Sequence, residues 1–194
     1  MKRSRFYEFL SSRSTVTLSV IATSALAIYL SSIDNKMWNG DYGVFSLQTS
    51  FSSEAFSRIL GTLKLSGKDL LSHYLLVDIV FSISCAITFP SVMALMYSQY
   101  KLVLEESYKQ SPSRFLSRIL ALSFVLAPLI TVLTIVGNLI ILALIRSGNI
   151  SNSMVFAESV SHTAKFIVLC AILAFLIILL IMRRIIIRST YRHE

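Results

Sequence analysis

Asp78 is the one carboxylate set well inside an apolar stretch of this chain, and two histidines, His73 and His162, stand at the heads of apolar stretches. Two imidazoles and a carboxylate are a set that can hold a transition metal or pass a proton. Spacing argues against part of that chemistry. His73 precedes Asp78 by five residues, roughly 140° around a helix, so those two side chains diverge. Ser82 and Cys85 follow Asp78 at i+4 and i+7 and share its helical face. Farther along, Thr131, Thr134 and Asn138 form a second polar stripe at helical spacing, with Pro128 just before it as a potential break in the helix. An interhelical hydrogen-bonded knot is the simplest use of such residues, a ligand, lipid or ion pocket the next.

The elements that position them are long apolar runs. Of 194 residues, 55% are hydrophobic and only 14% charged, far from the balance of a water-soluble domain. Four runs, at 15–33, 74–97, 119–145 and 166–182, are each long enough to cross about 30 Å of hydrocarbon at 1.5 Å per residue. Apolarity is continuous within each run, which specifies helices rather than the alternating strands of a barrel. The expected fold is all-α: one polytopic four-transmembrane-helix bundle over residues 1–194, with an outer connector at 34–73 and an inner connector at 98–118. Counting helix rise from the outer boundary puts Asp78 roughly 6 Å deep and Asn138, on a helix running the other way, about 10 Å deep, so the two can meet.

The net charge of +8 is a topology signal. Lys2, Arg3, Arg5 and Arg13, then Lys101, Lys109, Arg114 and Arg118, then Arg183, Arg184, Arg188 and Arg192 all fall on one side of the four runs. By the positive-inside rule both termini face the cytoplasm, or the matrix of a mitochondrion. Arg183, Arg184 and Arg188 are the expected headgroup anchors, so the basic excess points to membrane lipids and away from nucleic acid. The basic start followed by Ala25-Leu26-Ala27 imitates a secretory signal, but apolarity continues through Ile28, Tyr29 and Leu30, which favours an uncleaved anchor. Ser19, Ala22, Thr23, Ser24, Ala25 and Ala27 make the first run rich in small residues, suited to a central place in packing or to oligomerisation. The fourth, almost purely aliphatic, reads as lipid-facing. Cys85 and Cys170 both lie within runs and read as packing residues, not a disulfide.

The 34–73 connector is too long and too periodic for a plain loop. Trp38-Asn39-Gly40-Asp41-Tyr42-Gly43 opens it as a turn, and Ser52 can cap an amphipathic helix with Phe56, Ile59, Leu60 and Leu63 on one face. A helix-turn-helix lid over the outer face is the expectation.

Phe51-Ser52-Ser53-Glu54-Ala55-Phe56, Leu60-Gly61, Ser66-Gly67-Lys68, Tyr74 and Leu76-Val77-Asp78-Ile79-Val80-Phe81 together resemble a group of small bacterial four-helix membrane proteins. Over residues 45–145 the resemblance implies architecture and no activity. The third run departs from it: that group tends to carry acidic residues beside an Asn, where this chain has Thr134 and Gly137 before Asn138.

The sequence holds no phosphate loop, Cys-x-x-Cys pair or nucleophile elbow, and no cofactor is expected. The leading functional expectation is therefore a non-enzymatic accessory or scaffold subunit, in a hetero-complex or homo-oligomer. A small transporter or lipid-binding protein built around Asp78 and Asn138 is the alternative, and a lipid-modifying enzyme using His73, Asp78 and His162 the third.

Overall fold

A computed structural model describes residues 5–38, 42–64, 66–108 and 114–190, without the side chains of 103–108, 114–116, 182–183 and 185–190. Within them the chain is helical, in seven segments: α1 Arg5–Leu10, α2 Arg13–Met37, α3 Val44–Gln48, α4 Ser53–Leu60, α5 Gly67–Tyr108, α6 Arg114–Ser147 and α7 Asn152–Thr190. Four stretches, Arg13–Met37, Gly67–Leu102, Ser117–Ser147 and Asn152–Ile181, are long and apolar enough to cross a membrane, as in a multi-pass membrane protein.

α5 is the hub. α2, α6 and α7 all pack on it, α6 and α7 pack on each other, and α1 folds back against it, with the Tyr7 hydroxyl donating to the Ala94 carbonyl at 3.2 Å. Local chemistry sets the starts: the Ser12 hydroxyl accepts from Thr15 N at 3.2 Å to cap α2, and the Ser52 hydroxyl accepts from Ala55 N at 3.2 Å to cap α4. The largest core lies at the end of the bundle where the connector folds onto the helices, and includes Met37, Leu47, Phe56, Leu71, Ile141 and Val155. α4 buries Phe56 and Ile59 and leaves Glu54 and Arg58 outside as an i,i+4 ion pair. The connector is closed at its base, where Trp38 and Leu63 form an isolated antiparallel bridge and Lys64 N donates to the Met37 carbonyl at 2.9 Å. Gly67 allows this closure, since a Cβ there would come within 3.0 Å of the Met37 carbonyl oxygen.

Several sequence expectations require correction. The helices overrun the apolar runs: α5 begins seven residues before Tyr74 and continues to Tyr108, so the inner connector at 98–118 contracts to 109–113, which lies outside the described residues. Hydropathy falls where charges begin, whereas Lys and Glu are good helix formers and prolong the backbone ladder. The outer connector contracts likewise, from 34–73 to 38–66. α6 runs unbroken through Pro128, as α5 does through Pro90. α2 is peripheral rather than central: it packs chiefly on α5 and leaves Leu18, Ile21 and Ile28 exposed. The fourth helix starts at Asn152, not near Phe166, and its added turns carry Glu158, so Asp78 is not the sole buried carboxylate. Arg183, Arg184 and Arg188 lie on the last turns of α7. Arg184 is exposed, and the side chains of Arg183 and Arg188 fall outside the described set.

Candidate functional site

Asp78, one helical turn after Tyr74 on α5, is held among three helices. Its Oδ2 accepts from Asn138 Nδ2 of α6 at 3.1 Å and from Lys165 Nζ of α7 at 3.4 Å. Asn138 Nδ2 also donates to the Leu75 carbonyl at 2.9 Å, so the amide bridges a side chain and a backbone group of α5. The ion pair is largely buried, with 12% of the Lys165 side chain and 8% of that of Asp78 accessible. A lone carboxylate at this depth is costly, and a cation plus an amide donor offset much of that cost. Next to it the Thr131 hydroxyl donates to the Ser82 carbonyl at 3.0 Å and ties α6 to α5, whereas the hydroxyls of Ser82 and Thr134 turn back to carbonyls of their own helices, Ile79 and Ile130.

A cavity of about 600 Å³ opens beside this pair, within the usual range of small-molecule sites. It lies where α2 and α7 face each other across α5, both packed on α5 rather than extensively on one another. One end is polar, lined by Asp34, Gln48, Asp78 and Lys165; deeper along the helices the walls are mainly apolar, with Phe81, Phe89, Ile130, Leu169 and Leu173 interspersed with the hydroxyls of Thr23, Ser24, Ser82 and Thr134. Asp34 and Phe89 mark the two ends. The Asp34 carboxylate also organises the connector, because its Oδ1 accepts from Trp38 Nε1 at 2.7 Å and from Val44 N, the first residue of α3, at 3.0 Å. The buried Gln48 Nε2 has no hydrogen-bond partner. At the Phe89 end, the Thr23 hydroxyl of α2 lies 2.6 Å from that of Ser84 and 2.8 Å from that of Thr88, the polar fastening between α2 and α5.

A second polar group lies on α7. Glu158, Ser159 and His162 are completely buried, with Glu158 Oε1 3.5 Å from His162 Nε2. The Ser159 hydroxyl donates to Glu158 Oε2 at 3.1 Å and accepts from Phe51 N at 3.2 Å, so the connector between α3 and α4 is fixed to this helix. Asn152 Oδ1 accepts from Ser53 N at 2.8 Å and adds a second fixing point. Gly137 of α6 leaves the room that the His162 ring fills.

Of the residues singled out by sequence, Asp78, Asn138, Ser82, Thr131 and Thr134 therefore gather between α5 and α6, and His162 joins the α6–α7 contact. His73 does not join them. It is exposed, and its Nε2 lies 3.0 Å from the Tyr29 hydroxyl, so the set of two histidines and Asp78 does not form. Among the described residues no three His, Cys, Asp or Glu side chains converge as metal ligands. The sequence pointed neither to Glu158 and Gln48 nor to the roles of Gly137 and Lys165. The available signal was the spacing Glu158, His162, Lys165 at i, i+4 and i+7, one face of a helix continuous with the last apolar run. Cys85 is buried and lines the cavity, Cys170 is exposed, and both are free thiols.

No protein-family model, curated protein or solved structure matches this chain.

Proposed function

We propose that this multi-pass membrane protein binds a single-chain amphiphile with a zwitterionic head. The observation that carries the reading is the cavity with an ion pair at one end and an aromatic and aliphatic wall at the other. Lys165 Nζ and the unpartnered Gln48 Nε2 supply donors for an anionic group, and the Asp34 and Asp78 carboxylates supply acceptors for a cationic one. The volume suits one acyl chain rather than two. Chain burial adds about 0.8 kcal/mol per methylene only relative to water, so selectivity rests with the head. The cavity offers a ligand a specific place, which the accessory-subunit expectation leaves unused.

In this reading α3 and α4 form the lid, since Phe45 and Gln48 of α3 line the polar end of the cavity. The charge distribution of the sequence favours both termini on the cytoplasmic or matrix side, which puts the cavity's polar end near the opposite interface, where an amphiphile's head resides.

The test uses a lysophosphatidylcholine with a photoactivatable acyl chain and the protein in nanodiscs. Crosslinks are expected at Phe81, Phe89, Leu169 or Leu173, competed by unlabelled lysophosphatidylcholine and reduced about tenfold in Lys165→Met. Labelling spread evenly over exposed positions such as Leu180 and Ile181, and equal in the variant, would refute the reading. Competition by palmitate but not by lysophosphatidylcholine would reject the zwitterionic head.

A further inference from the structure

Four atoms near the α6–α7 contact are fully buried and without a hydrogen-bond partner: Asn138 Oδ1, Glu158 Oε1 and both ring nitrogens of His162. Buried polar atoms are rarely left so, and each calls for an occupant. Glu158 and His162 face each other one turn apart on α7, 3.5 Å between Oε1 and Nε2, an ion-pair separation slightly longer than a hydrogen bond, which a proton held by either group would shorten. The space is prepared for the ring, because any side chain at Gly137 would overlap it.

The buried charges also balance with one proton present. Asp78 and Lys165 cancel. If Glu158 and His162 hold one proton between them, as carboxylic acid with imidazole or as carboxylate with imidazolium, the whole buried group is neutral. Without the proton it carries one uncompensated negative charge in a low-dielectric interior, and with two protons one uncompensated positive charge.

The surroundings offer little else. On α7 the ionic neighbour is Lys165, which acts electrostatically on both Glu158 and His162. α6 presents Gly137 and Asn138, neither ionisable. On α5, Asp78 is engaged with Asn138 and Lys165, Tyr74 lies a turn before it, and His73 turns outward to Tyr29. From the connector side come Phe51 N and, on the exposed face of α4, the Glu54–Arg58 pair, which satisfies itself; Asp34 of α2 is held by Trp38 and Val44.

We infer that Glu158 and His162 form a binding site for a single proton, and that its release controls the cavity through Lys165. The coupling follows from position. Lys165 stands on the same helical stripe, three residues beyond His162 and seven beyond Glu158, and it is the cation that Asp78 holds at the polar end of the cavity. When the proton leaves to water, the bare Glu158 carboxylate competes with Asp78 for Lys165 and draws the ammonium out of the cavity. The second half of the inference rests on the amphiphile reading; the proton site itself does not.

The experiment follows the protein in nanodiscs by infrared titration of its carboxyl groups. A protonated-carboxyl band present at neutral pH, titrating between about pH 5 and 9, absent in Glu158→Gln, retained in Asp78→Asn and restored by Glu158→Asp is the expected result. An imidazolium band titrating in that range and absent in His162→Gln would place the same proton on the ring and equally support the site; neither band anywhere in that range would overturn it. In parallel, lysophosphatidylcholine affinity is expected to fall about tenfold as pH rises through the titration and to be pH-independent in Glu158→Gln. The same pH dependence in Glu158→Gln as in the native protein overturns the coupling. Absence of lysophosphatidylcholine binding at every pH overturns the amphiphile reading, while the infrared result still decides the proton site.

Discussion

The imidazole of His162 lies against the backbone of Gly137 so closely that a single methyl group on that glycine would overlap the ring. Both partners sit at the α6–α7 contact, where helices approach through missing side chains as much as through complementary ones.

Gly137→Ala should therefore destabilise the protein by about 1–3 kcal/mol, the usual cost of overfilling a packed interior. Unfolding by a denaturing detergent, monitored by circular dichroism, reads the loss. In a His162→Ala background the same glycine change should cost much less, because the atoms it meets are gone. Equal costs in both backgrounds would mean that the ring is not what the glycine accommodates.

Lys165→Met should cost about 3 kcal/mol, since it strands the Asp78 carboxylate with only the Asn138 amide. Adding Asp78→Asn should recover most of that loss, because the side chain left behind no longer carries a charge. A double variant as unstable as Lys165→Met alone, in the same unfolding assay, would show that the ion pair is not the source of the effect.

How far such relationships can be read in advance differs from residue to residue. The four spans are plain in the sequence because lipid demands long uncharged runs. The proximity of Asp78 and Asn138 is accessible too, since helix rise fixes the depth of each. Glu158 was hidden by averaging: the polar turns from Asn152 to Lys165 lower the hydropathy, so a span drawn around the aliphatic run begins at 166 and leaves them in a loop. Gly137 was hidden for another reason. A glycine inside a helix signals that something comes close, but only the tertiary partner, here His162, says what.

Ser159→Ala removes the acceptor of Phe51 N and should loosen the segment between α3 and α4. Hydrogen exchange of the Phe51 amide is expected to rise about tenfold or more, with the amides in the middle of α5 unchanged, because opening here is local. Equal protection in the variant would mean that Ser159 does not hold the connector.

Phe51 has a φ of 53°, in the left-handed region that a bulky side chain occupies at a cost of about 1–2 kcal/mol. The residue is 44% exposed and its ring makes an edge contact with Phe156, centroids 6.2 Å apart. Phe51→Gly should thus be neutral or slightly stabilising in thermal unfolding, an unusual result for loss of an aromatic side chain. A clear fall in stability would assign the ring a larger packing role than its exposure indicates.

The bridge between Trp38 and Leu63, with Lys64 N bound to the Met37 carbonyl, makes the connector a closed loop on a fixed base. The separation of α2 and α5 at that end is thereby decoupled from how much chain hangs between them. Extra residues placed within the loop, away from that base, would lengthen it at only a logarithmic entropic cost and leave the helices where they are. For this protein the inside of that closed loop is therefore the place where an epitope or a reporter domain can be grafted without moving α2 against α5.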